Sequence, residues 1–237
     1  LAMVPFTFGP DGTIYEVLKP YQHFRQPSRP IAPEIEKLTG ITDAMVDGHT
    51  IDPIEVEAFA GQAAVIVAHH ADFDRRFAEK LCPMFAAKAW ACSANQIDWS
   101  EAKSRSLAYL AMEAGFFYES HRALSDCQAG VELLASPLRG APALATLLDQ
   151  ARRPTWRIWA VDSPFEAKGL LKARGYRWNP DASPGFPKSW WIDVGDDTNE
   201  AEYAWLEAEV YRHKRDLPVV RISAFDRFSE RAGKVPT

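Results

Sequence analysis

Ala63-Ala-Val-Ile-Val-Ala-His-His-Ala-Asp-Phe-Asp74 sets the fold class of this chain. Its first six residues form a continuous apolar run of strand length, which fits a strand covered on both faces of a sheet. The polar residues His69, His70, Asp72 and Asp74 follow at once. Phe73, Phe77 and Leu81 then recur at helical spacing. A strand that ends in polar groups just where a helix starts is an α/β arrangement, and ligands of open α/β sheets bind at that edge. The expectation is an α/β domain with a site beside Asp74.

Working outward, Leu1–Phe8 alternates and reads as a strand. Gly9-Pro-Asp-Gly12 is turn chemistry. Thr13–Lys19 should return antiparallel as a hairpin. Residues 20–33 carry four prolines and read as an extended loop. Pro33–Leu38 reads as a short helix closed by Gly40, with Thr42 capping a second over Asp43–Val46 and a third at 53–60. Trp90–Ala94 is a plausible next strand, and Ser106–Gly115 an amphipathic helix facing inward through Leu107, Leu110 and Ala111.

His121-Arg-Ala-Leu-Ser-Asp126 opens a further helical pattern through Ala123, Leu124, Cys127, Val131 and Leu134. A histidine in the loop before a helix and an aspartate on its second turn can face one pocket. A carboxylate there suits Mg²⁺ or Mn²⁺, and a nearby imidazole suits proton removal from water. Another helix is expected near 140–151.

Composition limits the function classes. With 47% hydrophobic and 25% charged residues among 237, the chain reads as a soluble globular protein of one large or two modest domains. No apolar run approaches the ~20 residues that span a bilayer, so no membrane partner is expected. No signal peptide is visible. Cys82, Cys92 and Cys127 are odd in number and widely spaced, which reads as reduced thiols in a cytoplasmic protein. Residues 1–151 hold 12 Lys/Arg against 19 Asp/Glu, whereas 152–237 hold 15 against 13. Charge thus gives no direct support for tight nonspecific DNA binding. Six of the eight tryptophans follow residue 150, and Arg152-Arg-Pro154 reads as a linker. Two domains are expected, 1–151 and 152–237, the second a small aromatic-rich α+β module.

Three stretches together resemble the DEDD superfamily of 3′-to-5′ exonucleases, in its His-containing branch, which includes polymerase proofreading subunits. Pro30–Met45 is similar to the stretch before the family's second motif. Val67-Ala-His-His-Ala-Asp-Phe-Asp74 resembles that motif, which ends Asn-Ala-x-Phe-Asp, and His121-x-Ala-x-x-Asp126 resembles the third. The resemblance covers roughly residues 1–135. It implies an RNase H-like fold, a mixed sheet with flanking helices, and two divalent metal ions, Mg²⁺ or Mn²⁺, held by four carboxylates. Asp74 and Asp126 take two of the metal positions, and His121 takes the general-base position. Leu38, Thr39 and Gly40 would approach the terminal nucleotide through their backbone, and Phe73 would pack its helix into the core. His70 stands where the family has Asn, and both a substrate contact and a loop-orienting role stay open for it.

The family's first motif, Asp-x-Glu, supplies the other two metal carboxylates from a central strand, and no stretch here replaces it. Without that strand two sheet edges would lack partners. The expectation is an N-terminal truncation of a full-length enzyme, or a gap filled by another segment or a neighbouring molecule. The chain itself would be weakly active or inactive, and would hold two metal ions poorly or not at all. The resemblance implies DNA more than RNA as the partner, and allows a polymerase subunit as another. An exoribonuclease and a non-catalytic nucleic-acid-binding protein remain the alternatives.

In the tail, Gly169–Trp178 and Lys188-Ser-Trp-Trp191 combine basic and aromatic residues. They read either as a substrate-binding surface, with bases stacking on exposed aromatics, or as the aromatic core of a small domain beside a solvated Lys168, Lys172 and Arg174 face. Alternation allows only one of Trp190 and Trp191 to point inward.

Overall fold

The computed structural model describes residues 1–236. The chain divides into two compact units, Leu1–Gln150 and Ala151 onward.

The first unit is mixed α/β. The N-terminal apolar stretch is two short strands, β1 (Ala2–Met3) and β2 (Phe6–Phe8). The break falls at Val4-Pro5, where proline lacks the N–H a ladder needs. β2 forms the expected hairpin with β3 (Ile14–Val17), closed by the Gly12 N–H on Gly9 O. The proline-rich loop contains one ladder step, β4 (Tyr21–Gln22), antiparallel to β1. Helix α1 (Pro33–Thr39) starts on proline and ends at Gly40, whose φ of 63° is left-handed. Thr42 Oγ1 accepts from Met45 N at the start of α2 (Asp43–Val46), and Asp52 caps α3 (Pro53–Ala60).

β5 (Ile66–Ala68) and β6 (Trp90–Cys92) pair in parallel, joined by α4 (Ala71–Leu81) and a 3₁₀ segment at Pro83–Ala87. β6 is fully buried, but β5 is only half-buried, and shorter than the expected Ala63–Ala68 strand. The physical reason is pairing: among the described residues β5 has a neighbour on one edge only. The single mixed sheet expected from the resemblance is here four separate two-stranded ladders. No described strand lies between β1 and β5 to join them. After α5 (Ser93–Gln96) come α6 (Leu107–Glu113), α7 (Ala123–Ala135), the small hairpin of β7 (Pro137–Leu138) and β8 (Ala141–Pro142), and α8 (Ala143–Arg152).

The inward face of α4 is not the aromatic stripe. Phe73 and Phe77 are 63% and 60% exposed and touch each other, ring centroids 4.8 Å apart, so Phe73 does not pack its helix into the core. The buried α4 residues are Ala71 and Arg75. The Arg75 guanidinium lies over the buried Trp90 ring, donates to Ala86 O and pairs with Glu79 at 2.5 Å. A buried guanidinium requires partners on every side, and only this face of α4 supplies them.

The second unit is α+β. Its antiparallel sheet runs β10 (Arg177–Trp178), β11 (Trp190–Gly195), β9 (Thr155–Ala160), β12 (Val219–Ile222). Ile158, Ala160 and Leu171 form its core with Leu206, Val210 and Tyr211. These come from one sheet face, α9 (Lys168–Ala173) and the π-helical turn Leu206–Tyr211 that extends α10 (Asn199–Trp205). Trp190 packs against this core, whereas Trp191 pairs with Trp159 in the ladder and faces the other way. There it carries the Arg157 guanidinium at 3.8 Å, which is also held by Asp193 through two 2.7 Å bonds. Trp178 stays 47% exposed. Arg174 is not a free surface cation, since it donates to the buried Glu202 beside Tyr176.

Two outcomes follow from these buried charges. Glu79→Gln should destabilise the chain by ~3 kcal/mol, because it removes a carboxylate paired with the buried Arg75 guanidinium, whereas Arg75→Met should cost far less; urea unfolding of both variants tests this, and equal losses would refute it. The Tyr176 hydroxyl is pushed well above its ordinary value by burial and then by Glu202, and Tyr211 up to about 12, mainly by burial. Folded values above the unfolded one of ~10 mean that this stability is complete below pH 10 and is lost as pH rises toward 12. Tyr176→Phe should flatten that alkaline fall, while costing ~1 kcal/mol at pH 8 through the lost hydrogen bond.

Candidate nucleic-acid site

Two structural pieces meet here, the start of α7 and the end of α1. His121 enters α7 with φ of 66°, the left-handed region that non-glycine residues seldom occupy. Its backbone N–H donates to Asp126 Oδ1 at 3.2 Å, so the carboxylate one turn into the helix reaches back and fixes the histidine's backbone. The imidazole is left exposed while Asp126 is half-buried. The aspartate sits in the first turn of the helix, one turn earlier than the sequence reading has it, and a backbone hydrogen bond joins it to the loop histidine. Backbone strain of this kind concentrates at functional sites.

Asp126 also accepts a hydrogen bond from the Tyr118 hydroxyl, which burial and then the Asp126 charge push up to about 12. Below that pH the phenol keeps its proton and remains a donor to the carboxylate. No sequence signal marked Tyr118, because nothing in Phe116-Phe117-Tyr118 distinguishes a core ring from a site ring.

Asp74 comes to the same place from α4. Burial pushes the Cys127 thiol up to about 11, and the charges of Asp126 and Asp74 both add to that rise. The two carboxylates, 52 positions apart in sequence, thus both lie within electrostatic reach of one thiol. Cys127 also ties the helix to the first strand, donating to Ala2 O at 3.5 Å. The Asp74 side chain is open to solvent on one side, yet the surrounding chain raises its carboxyl above the ordinary value by desolvation, with His70 opposing.

His70 is the exposed residue before α4, without a side-chain cap hydrogen bond, and its ring meets that of His69 edge-on at 5.2 Å. His69 is the residue sequence reasoning passed over. Its Nε2 lies 2.7 Å from Arg105 O and its Nδ1 2.9 Å from Ser93 Oγ. A carbonyl only accepts, so Nε2 carries the proton and Nδ1 accepts from the serine. Burial holds this ring below its ordinary pKa, in its neutral form. His69 thus pins the end of β5 to the start of α5 and to the segment before α6.

Leu38, Thr39 and Gly40 end α1. Leu38 is 52% exposed, and Thr39 Oγ1 is occupied within its own turn by Ile35 O and Ile41 N. Gly40 meets the α7 start directly: a Cβ built on it would lie 2.8 Å from Arg122 Nη2. The structure therefore brings Gly40 against the residue next to His121, and puts Asp74 and Asp126 within electrostatic reach of Cys127. His70 is joined to Asp74: its carbonyl accepts from the Asp74 N–H at 3.1 Å, and its ring and backbone N–H act on the Asp74 carboxyl. For Leu38 and Thr39 no contact joins them to that pair.

Among the described residues, no group of three or more His, Cys, Asp or Glu side chains is arranged to hold a metal ion. Asp74 and Asp126 offer two negative charges, whereas a pair of divalent cations carries four positive ones. The residues present do not fit a two-cation centre, and no step is derived through one. No helix of the described residues is long and apolar enough to cross a membrane.

The family model RNase_T, described as "Exonuclease", matches residues 9–134. Among solved structures, one match is described as "Exonuclease X in complex with 5' overhanging duplex DNA". It is 23% identical, covers 63% of this chain and 89% of that chain, and has a TM-score of 0.40. The curated proteins give no match.

The strain at His121 has a measurable consequence. His121→Val should destabilise the chain by ~1–2 kcal/mol more than His121→Gly, since a β-branched residue resists the left-handed conformation that glycine accepts. Thermal unfolding compares the two directly, and equal losses would refute the assignment.

Proposed function

The chain belongs to the exonuclease family of that model, and from this premise we propose that it acts as a metal-dependent 3′-to-5′ exonuclease on DNA, with an RNase H-like arrangement of its first unit. The observation that carries the reading is the convergence of two carboxylates from separate elements beside a histidine held at a strained backbone position. His121 takes the proton from the attacking water, its exposed imidazole being free to face solvent. Asp126, held by Tyr118 and the His121 N–H, keeps that imidazole's backbone in place. Asp74 and Asp126 are the carboxylates that would contact a divalent cation, and as a pair they do not make a two-cation centre. Water attacks the terminal phosphodiester and the products are nucleoside monophosphates. A role in proofreading or repair, beside a polymerase subunit, fits this reaction, and so does a cytoplasmic setting with its three free thiols.

A second reading has its own support. Two carboxylates make a poor centre for two cations, and this favours a nucleic-acid-binding protein on an exonuclease fold, or a chain of low activity. RNA in place of DNA is the remaining alternative, since neither motif distinguishes the sugar. The second unit, with Trp178 and Arg177 exposed on an edge strand, is proposed as an accessory domain.

The test is Mn²⁺-dependent digestion of single-stranded DNA labelled at either end. The expected result is slow release of labelled mononucleotide from the 3′ end, reduced by at least ~100-fold in Asp126→Ala. Release that begins at the 5′ end, or that survives Asp126→Ala, would overturn the assignment. DNA binding without any release would favour the non-catalytic reading.

A further inference from the structure

We propose that Arg122 grips a backbone phosphate of the nucleic-acid strand close to its 3′ end, and that residue 40 is glycine to leave room for the guanidinium that does so. This inference rests on the nucleic-acid reading of the site and names a residue and a substrate group that the reading leaves unassigned.

The first observation is placement. Arg122 is the residue before α7, directly after His121 and four before Asp126. Its guanidinium leaves that helix start and reaches the end of α1. The nearest guanidinium atoms to a Cβ built on Gly40 would be Nη2 at 2.8 Å, Cζ at 3.5 Å and Nε at 3.8 Å. Any side chain at residue 40 would push the guanidinium away, and the left-handed φ of 63° disfavours one independently. Gly40 closes α1 as glycines commonly close helices, so the cap explains the glycine by itself. It does not explain why an arginine is packed against the bare Cα.

The second observation is what the guanidinium lacks. Its side chain is 35% exposed, and its one ion pair among the described residues is with Glu119, at 4.0 Å from an acid that is 78% exposed. An ion pair of that length and exposure is worth little. The guanidinium makes no hydrogen bond to any described residue, although it carries five N–H donors in a fixed fork. Other arginines here do bind carboxylates closely: Arg157 binds Asp193 through Nε and Nη2, and the Arg174 Nε–H is shared between both oxygens of Glu202. A half-buried fork with unused donors is matched to an anion that comes from outside the chain; a phosphodiester, like a carboxylate, accepts two parallel bonds from it, and it is the anion that a nucleic-acid strand supplies.

The third is charge. Asp72, Asp74 and Asp126 make this end of the unit acidic, which repels a polyanion. A fixed cation at the rim, one residue from the general base, supplies the local attraction that the overall charge of −5 does not. A phosphate held by Arg122 would set the strand relative to His121, so the residue determines where along the strand the reactive linkage stops.

The experiment measures binding of the whole chain to a 5′-fluorescent single-stranded DNA in EDTA. The strand is used intact, and with one linkage at a time near the 3′ end replaced by an uncharged methylphosphonate. For the unsubstituted chain, neutralising one particular linkage should weaken binding about tenfold, as expected for a charge-assisted hydrogen bond. Arg122→Gln should weaken binding to the intact strand by a similar factor and become insensitive to that one linkage while still sensing the others. Its log affinity against log salt should flatten by ~0.7, one single-strand phosphate contact. Arg122→Lys should recover part of the affinity, and Gly40→Ala should reproduce the Arg122→Gln profile. An Arg122→Gln chain that keeps the same linkage profile overturns this inference and leaves the nuclease reading standing. An unsubstituted chain that does not bind DNA overturns the nuclease reading, and this inference with it.

Discussion

A guanidinium with no route to water, Arg75, governs the first unit. Once this charge is buried between Trp90, Ala86 O and Glu79, the rotation of α4 about its axis is fixed. The parallel β5–β6 pair is held against it by the same Trp90, whose indole N–H donates to Phe85 O. With Arg75 inside, its neighbours in sequence must turn outward, which exposes Phe73 and Phe77 and sends Asp74 toward α7. The position of one candidate site carboxylate is therefore a consequence of where a different, buried charge had to be satisfied.

The α7 start answers to a second constraint of the same kind. Asp126 is asked to hold the His121 N–H, to accept from Tyr118 and to lie, with Asp74, within electrostatic reach of the Cys127 thiol. Each contact makes a backbone or side-chain geometry more rigid, and together they keep His121 in a conformation that it would leave if unrestrained. The neutral His69, bonded at both ring nitrogens, does similar work at the end of β5. It anchors the strand from which α4 departs, without itself presenting a free group to a ligand.

The second unit shows how one ladder register sorts a run of aromatics. Trp190 opposes Ala160 and points into the core; Trp191 opposes Trp159 and receives Arg157. Adjacent tryptophans thus serve opposite faces, and the core reading of the tail holds for Trp190. Large rings do make the core, while Trp178 on the edge strand remains available to solvent. Arg174, which sequence would place on a solvated helix face, instead closes over Glu202 and stacks on Trp205.

Local chemistry was enough to read the helix starts and stops: Pro33 and Gly40, the Thr42 cap, the turn at Gly9–Gly12 and the helix beginning after His121. Each depends on residues within a few positions of one another, and so does the pairing of His121 with Asp126. The division of labour between Trp190 and Trp191 was legible too, because strand alternation is a local property. Packing decided what periodicity could not. The stripe Phe73-Phe77-Leu81 has helical spacing, but spacing does not say which stripe is buried, and the burial of Arg75 outweighed it. Ala63–Ala68 is apolar enough for a strand covered on both faces, yet coverage depends on neighbours supplied by the rest of the molecule, and β5 has one on a single edge. Tyr118, His69 and Arg122 acquire their roles from partners far away in sequence or across the fold. Hydrogen bonding and charge compensation are set by three-dimensional neighbours, and those neighbours exist only after the chain has folded.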